Sequence, residues 1–287
     1  MPEKLTQSIV ENWVRGTFGW WHYRELDRDL DIGSTEGKAY RRVILRRLCQ
    51  LGIVERHPKE EGKFRLLDNT APVIDWQKAD ASKVLHLRWP FELEKWVNIY
   101  PKNVIVLAGT FNSGKTAMCL NFIEMNQHRI EIANLLPIQY FSSEMGPEEM
   151  KLRISKFQSS DWAFDAWERS TNFADVIRPD KINVIDYLEV TNDFFLVAQE
   201  IASIYDKLKG GIALITVQKK QGAILGRGAE FSAEKPRLYL SLDTGKLTIV
   251  KGKNWAQPGV NPNGLKFSFQ LVDGYKFVNI QELGRGI

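Results

Sequence analysis

Cysteine is almost missing from this sequence. Only Cys49 and Cys119 occur among 287 residues, too few for a disulfide framework and outside any zinc-type spacing. They read as free thiols in a reducing compartment. No apolar run is long enough to span a bilayer, and the opening MPEKLTQSIVENWV lacks the apolar core of a secretion signal. The expectation is therefore a soluble, cytoplasmic protein without a membrane partner. No internal repeat or low-complexity tract is visible, which excludes a repeat architecture. A strong charge imbalance is missing too: 39 Lys and Arg face 35 Asp and Glu, a net +4. That permits a nucleic-acid partner without demanding one, so the placement of the charges matters more than their sum.

What is present is an ordinary globular composition, 44% apolar and 26% charged, in a chain long enough for two domains of about 100–200 residues each. Residues 1–70 are helix-rich. A linker over 71–85 overlaps DNTAPVIDWQKADASK, roughly Asp68 to Lys83, which has turn formers and no sustained period. From 86 to 287 the texture is α/β. Short β-branched runs at Asn103–Ala108, Pro137–Phe141, Ile182–Ile185 and Ile212–Val217 alternate with helical segments, which predicts a mostly parallel, buried sheet. After Pro236 the strands RLYLSL, KLTIVK, LKFSFQL and YKFVNI crowd together around the turn Asp243-Thr244-Gly245, which predicts C-terminal antiparallel hairpins.

The strongest signal follows the strand Val104–Ala108. Gly109-Thr110-Phe111-Asn112-Ser113-Gly114-Lys115-Thr116 matches GxxxxGK[ST] in full and runs into a helix over Ala117–Met125. The chemistry dictates the residue types. Two glycines let backbone N–H groups turn inward around phosphates. Lys115 brings a compact charge to the β- and γ-phosphates, and Thr116 offers a hydroxyl to Mg²⁺. The helix N-terminus adds partial positive charge. ATP with Mg²⁺ is the implied ligand.

Later strands end in polar residues, and a parallel sheet gathers such ends along one edge. Glu144, in QYFSSEM, is either a carboxylate that activates the attacking water or an acidic opener of the helix Pro147–Phe157. Asp186, in KINVIDYLEV, has the Walker B arrangement for holding Mg²⁺, with Glu189 as a rival catalytic base. Gln218, in IALITVQKK, either senses the γ-phosphate or makes a strand-end hydrogen bond.

Together these segments resemble the RecA-like C-terminal ATPase domain of DnaB-type ring helicases, over about residues 86–280. FSSEM with Arg153 behind it resembles that family's catalytic strand, which implies that Glu144 is the base in place of Glu189. IDYL at Ile185–Leu188 resembles its Walker B, so Asp186 joins Thr116 at the metal. TVQKK resembles the nucleotide-sensing strand that ends in Gln218. GRGAEFSAEKPRLYLSL resembles the segment leaving the central DNA-binding loop. IVKGKNWAQPG resembles the late Lys-x-Arg strand, whose cations complete a neighbour's ATP site. The resemblance therefore implies catalytic roles for Lys251 and Lys253 and a homo-oligomeric ring, a hexamer among its sizes. Three departures stand out: Lys253 replaces the arginine finger and lacks its bidentate fork, the span from Arg153 to Asp186 is short, and the family's helical N-terminal collar is missing.

In the collar's place, helices over Gln7–Arg15, His22–Asp29 and Glu36–Leu51, then strands at Ile53–Arg56 and Lys63–Leu67 around HPKEEG, resemble a winged helix-turn-helix domain. At about 100° per residue, Tyr40, Val43, Ile44, Leu48 and Leu51 share one apolar face of the third helix. Lys38, Arg41, Arg42 and Arg46 gather opposite, after Ser34 or Thr35 as N-cap. That cationic face either is a solvated surface or suits duplex DNA or an acidic protein. Glu60 and Glu61 argue against phosphate contact at the wing tip, and Trp20-Trp21 reads as core packing. In the ATPase half the loop KKQGAILGRGAEFSAEK either is a disordered surface loop or offers Lys219, Lys220 and Arg227 to single-stranded DNA. Asp161–Asn172, with Trp162, Phe164 and Trp167, reads as either a second loop or a packing helix. The combined expectation is an ATP-dependent nucleic-acid motor, a compact ring helicase of a phage or mobile element. The competing expectation is an ATP-dependent switch, loader or recombinase-like filament without processive unwinding.

Overall fold

The structure is a computed structural model and describes residues 5–17, 19–68, 71, 73–189 and 194–285. Asn69 and Thr70 at the end of the first expected domain, Pro72 of the expected linker, and Val190 of IDYLEV lie outside the described residues. The chain divides into two compact units, Met1–Ala79 and Asp80–Ile287. None of the described helices is long and apolar enough to cross a membrane.

The smaller unit runs α1 (Gln7–Arg15), β1 (Trp21–His22), α2 (Tyr23–Asp29), α3 (Thr35–Gln50), β2 (Val54–Arg56) and β3 (Lys63–Leu66), with antiparallel strand order β1-β3-β2. Local chemistry sets each helix start. Thr6 Oγ1 accepts the Ile9 amide at 3.3 Å and Ser34 Oγ accepts the Gly37 amide at 3.0 Å. His22 closes a capping box with Glu25, whose carboxylate accepts the His22 amide at 3.1 Å. Val10, Val14, Trp21, Leu26, Ile44, Leu48, Val54 and Phe64 form the core. Trp21 is thus inside, whereas Trp20 is 40% exposed.

One expectation fails here. The buried stripe of α3 is Arg41, Ile44, Leu45 and Leu48, while Tyr40, Val43 and Leu51 are exposed. The stripe keeps helical spacing but has rotated to take in a cation. Arg41 enters the core because α2 supplies its partners: Nη1 donates to Asp27 Oδ2, and its guanidinium lies 4.2 Å from the centre of the Tyr23 ring. An apolar count cannot anticipate a buried ion pair.

The larger unit is a mixed sheet between two layers. In chain order it has β4 (Val104–Gly109), α4 (Lys115–Asn126), β5 (Ile138–Ser142), α5 (Pro147–Ile154), β6 (Phe164–Glu168), β7 (Ile182–Asp186), α6 (Phe194–Lys207), β8 (Ile212–Gln218), α7 (Ala229–Ser232), β9 (Leu238–Asp243), β10 (Lys246–Gly252), β11 (Leu265–Val272) and β12 (Lys276–Arg285). The nine strands are ordered β12-β11-β10-β9-β4-β8-β7-β5-β6. Those from β9 to β6 are parallel, and β10, β11 and β12 extend the sheet antiparallel. Alternation feeds both faces. Ile105 and Leu107 join the core under α4, whereas Val104, Val106 and Ala108 join the core under α6. The last hairpin turns through Asp273, Gly274 and Tyr275: Asp273 and Gly274 are at positive φ (52° and 74°), and the Tyr275 amide donates to the Val272 carbonyl at 3.2 Å. The Asp161–Asn172 segment is neither a helix nor a loop throughout. Trp162 and Phe164 pack on the α4-side core, and β6 forms an edge strand on which Trp167 is 48% exposed.

Candidate nucleotide site

Strand register assembles the site. Gly109 of β4 stands opposite Gln218 of β8, and Ser142 of β5 opposite Asp186 of β7, so four parallel strands end along one edge. There Phe111, Asn112, Ser113, Gly114, Lys115, Thr116, Glu144, Asp186 and Gln218 line one cleft of about 260 Å³. Gly109 and Thr110 form the loop's first turn beneath it.

The loop has the shape its glycines allow. A Cβ on Gly109 would lie 2.6 Å from both Lys115 Cγ and Ser113 Oγ, and Gly114 has φ +100°. Ser113 Oγ donates to the Thr110 carbonyl at 2.9 Å and braces the turn. Gly114 is the N-cap of α4, so the helix directs its unpaired amides into the cleft. Lys115 Nζ donates to the Thr110 and Gly109 carbonyls at 3.0 and 3.4 Å. Burial pushes this lysine below its usual range, with the Asp186 and Glu144 carboxylates pulling the other way. An amide-lined cradle too tight for a Cβ, with a half-buried ammonium above it, fits a polyphosphate. The Thr116 hydroxyl has no hydrogen-bond partner among the described residues, and Asp186 presents a buried carboxylate, so the two suit a hard cation carried in with the phosphates. Among the described residues no group of three or more His, Cys, Asp or Glu could hold a metal by itself.

Glu144 is exposed, two residues past the end of β5. Its approach is fixed by cross-strand bonds: the Ser143 amide donates to the Asp186 carbonyl at 3.0 Å, and the Tyr187 amide donates to Ser143 Oγ at 3.1 Å. Burial, followed by the charges of Glu144 and Glu189, raises the pKa of the Tyr187 phenol. Glu189 is exposed and does not line the cleft.

Gln218 leads into the basic loop, and that loop is anchored. The Lys219 amide donates to the Gly109 carbonyl at 3.0 Å, and the Arg227 amide returns to the Gln218 carbonyl at 2.7 Å. Gly226 fits where a Cβ would lie 2.4 Å from Val217 Cγ2. Lys219 corrects the expectation of a DNA-facing side chain. Its ammonium is wholly buried and donates to Asp243 Oδ2, Ser241 Oγ and the Ala223 carbonyl at 2.7, 2.8 and 2.8 Å. The Asp243 carboxylate waiting at the end of β9 turned a surface cation into a brace. Lys220 and Arg227 remain exposed.

The other expected cations lie elsewhere. Lys251 pairs with Tyr239 and Gly252 with Leu238, at the sheet edge opposite the phosphate loop. Lys251 Nζ donates to the Ala233 and Glu234 carbonyls, and Lys253 is exposed. In the smaller unit Arg41 drops out of the cationic face because it is 3% exposed and paired with Asp27. Lys38, Arg42 and Arg46 are exposed on α3 without an ion pair among the described residues, and Arg47 joins them.

Sequence reasoning gave no place in the site to five residues of the cleft wall: Ala117, Arg153, Tyr187, Leu271 and Gly274. Tyr187 sits within IDYL and had a local signal. Leu271 and Gly274 had none, because the β11–β12 turn comes from far along the chain. It is held there by Lys156 Nζ on the Asp273 carbonyl at 3.1 Å and Asn121 Nδ2 on the Tyr275 carbonyl at 2.6 Å. No protein-family model matches the chain, and no curated protein matches it.

Proposed function

We propose that the chain is an ATP-driven nucleic-acid motor: a RecA-like P-loop ATPase of the DnaB-type ring-helicase kind, preceded by a winged helix. The observation that carries this reading is the register that brings Lys115, Thr116, Glu144, Asp186 and Gln218 to one cleft. ATP binds with its phosphates against the amides of 110–116. Lys115 neutralises β- and γ-phosphate charge, and Thr116 with Asp186 holds the Mg²⁺ that screens it. Glu144 accepts the proton of the attacking water. Gln218 senses the γ-phosphate and passes its state to the anchored loop, whose Lys220 and Arg227 track single-stranded DNA. Lys253, assisted by Lys251, completes the site of a neighbouring copy in a homo-oligomeric ring. The exposed face of α3, with Lys38, Arg42 and Arg46, contacts duplex DNA.

One observation favours a second reading, a nucleotide-dependent switch or loader. Lys219 and Lys251 are both engaged within the chain, which leaves fewer cations for a strand or a neighbour's phosphate. ATP hydrolysis with and without single-stranded DNA separates the two. The motor shows strong stimulation, and Glu144→Gln lowers turnover about 10²–10⁴-fold. Slow hydrolysis indifferent to DNA supports the switch. Full activity in Glu144→Gln removes Glu144 from the mechanism and returns Glu189 as the base.

A further inference from the structure

Of the two carboxylates lining the cleft, Asp186 is the buried one, at 5% exposure. Each of its oxygens accepts a hydroxyl from a flanking strand. Tyr140 Oη on β5 donates to Oδ2 at 2.8 Å, and Thr216 Oγ1 on β8 donates to Oδ1 at 2.9 Å. Both donors are wholly buried. Packing alone does not explain them. β5 is buried along its whole length, and the Tyr140 ring packs edge-on against Phe164 at 6.0 Å, which a phenylalanine would do equally. The phenol oxygen has one further effect, its bond to Asp186. An ionised carboxylate can only accept, so the phenol is the donor in this bond. A carboxylate has about four lone-pair positions. Two hydroxyls from opposite sides fix its rotation and leave the other positions for the water shell of a cation.

We propose that Tyr140 and Thr216 are positioning residues that orient Asp186 from both sides and thereby set the affinity of the cleft for the metal of the metal–nucleotide complex. This rests on the reading of the cleft as an ATP site. The test uses the full chain and two equilibrium measurements: ADP affinity in EDTA by calorimetry, and Mn²⁺ affinity in the presence of ADP by electron paramagnetic resonance. Tyr140→Phe and Thr216→Val each lower Mn²⁺ affinity about tenfold, the scale of a lost outer-sphere partner. Both leave ADP affinity in EDTA within about twofold of wild type, and Thr216→Ser restores Mn²⁺ binding. A purely structural role predicts intact Mn²⁺ affinity in every variant that folds, and that result overturns the inference while the nucleotide reading stands. If Tyr140→Phe does not fold, the Thr216→Val and Thr216→Ser pair decides alone. If the wild type binds neither ADP nor ADP-dependent Mn²⁺, the nucleotide reading itself fails.

Discussion

The two edges of the large sheet are built on opposite electrostatic plans. At the edge where β4, β5, β7 and β8 end, the three cations nearest the cleft each come with an anion: Lys115 faces Asp186 and Glu144, Lys219 is paired with Asp243, and Arg153 with Glu149. At the other edge Lys251, Lys253 and Arg237 crowd one another. Burial and the neighbouring Lys253 and Arg237 charges lower the Lys251 pKa, and Glu234 alone opposes them. A self-compensated edge can hold a phosphate chain and then release it. An edge with surplus cations is stable only with carbonyls or an external anion against it, and Lys251 rests on two carbonyls. Under the function proposed above, the first edge would hold the nucleotide and the second would complete the site of a neighbouring copy.

The strongest way to break this contrast is to remove the cation of the compensated edge. Lys115→Met is expected to lower ATP turnover by at least about 10²–10³-fold, the scale of losing one preorganised charge-stabilising donor. The same change is expected to raise the thermal midpoint of the nucleotide-free chain, because burial disfavours the charged ammonium. The pH dependence has a fixed sign. The folded pKa lies below the usual 10.5, so the unfolded chain binds the proton more tightly. Stability of the wild type therefore rises with pH across the window just below 10.5, and calorimetric scans of Lys115→Met lose that rise.

The surplus edge is tested by complementation. Lys253→Ala lowers turnover about 10²-fold, less than an arginine finger supplies because lysine lacks the fork. Glu144→Gln is impaired at the other edge. If the edges meet between copies, mixing the two variants restores part of the activity, since an intact Glu144 then sits opposite an intact Lys253 in some interfaces. A mixture no more active than its parts removes Lys253 from a trans role.

The same contrast explains what was legible in the sequence. The strand–loop–helix around 109–116 was legible because its parts are adjacent and its glycines answer to backbone geometry alone. Asp186 and Gln218 were readable because parallel strands that end in polar residues must end together. Three-dimensional partners were not. Arg41 and Lys219 looked like surface cations until Asp27 and Asp243 arrived from other elements. Tyr140 looked like one more apolar strand residue until β7 set Asp186 beside it. β6 was hidden by its exposure: Asp165 and Glu168 sit on an edge strand with no alternating apolar face to announce it.

The smallest expected effects separate adjacent lysines. Lys219 and Lys220 are one residue apart, yet the first is a buried brace and the second an exposed cation. Lys219→Ala leaves the Asp243 carboxylate, which is 39% exposed, without its partner. Water can reach that carboxylate, so the destabilisation is held to about 1–3 kcal/mol, below the cost of breaking a fully buried pair. Chemical denaturation reads it. Single-strand affinity falls only as far as the loop loosens, and the salt dependence keeps its slope. Lys220→Ala does the reverse. Stability stays within about 0.5 kcal/mol, while the slope of log affinity against log salt for single-stranded DNA falls by about 0.7, one phosphate contact. Equal slopes in both variants and the wild type would move strand contact away from this loop. A slope change in Lys219→Ala alone would mean that the buried ammonium leaves Asp243 when a strand binds.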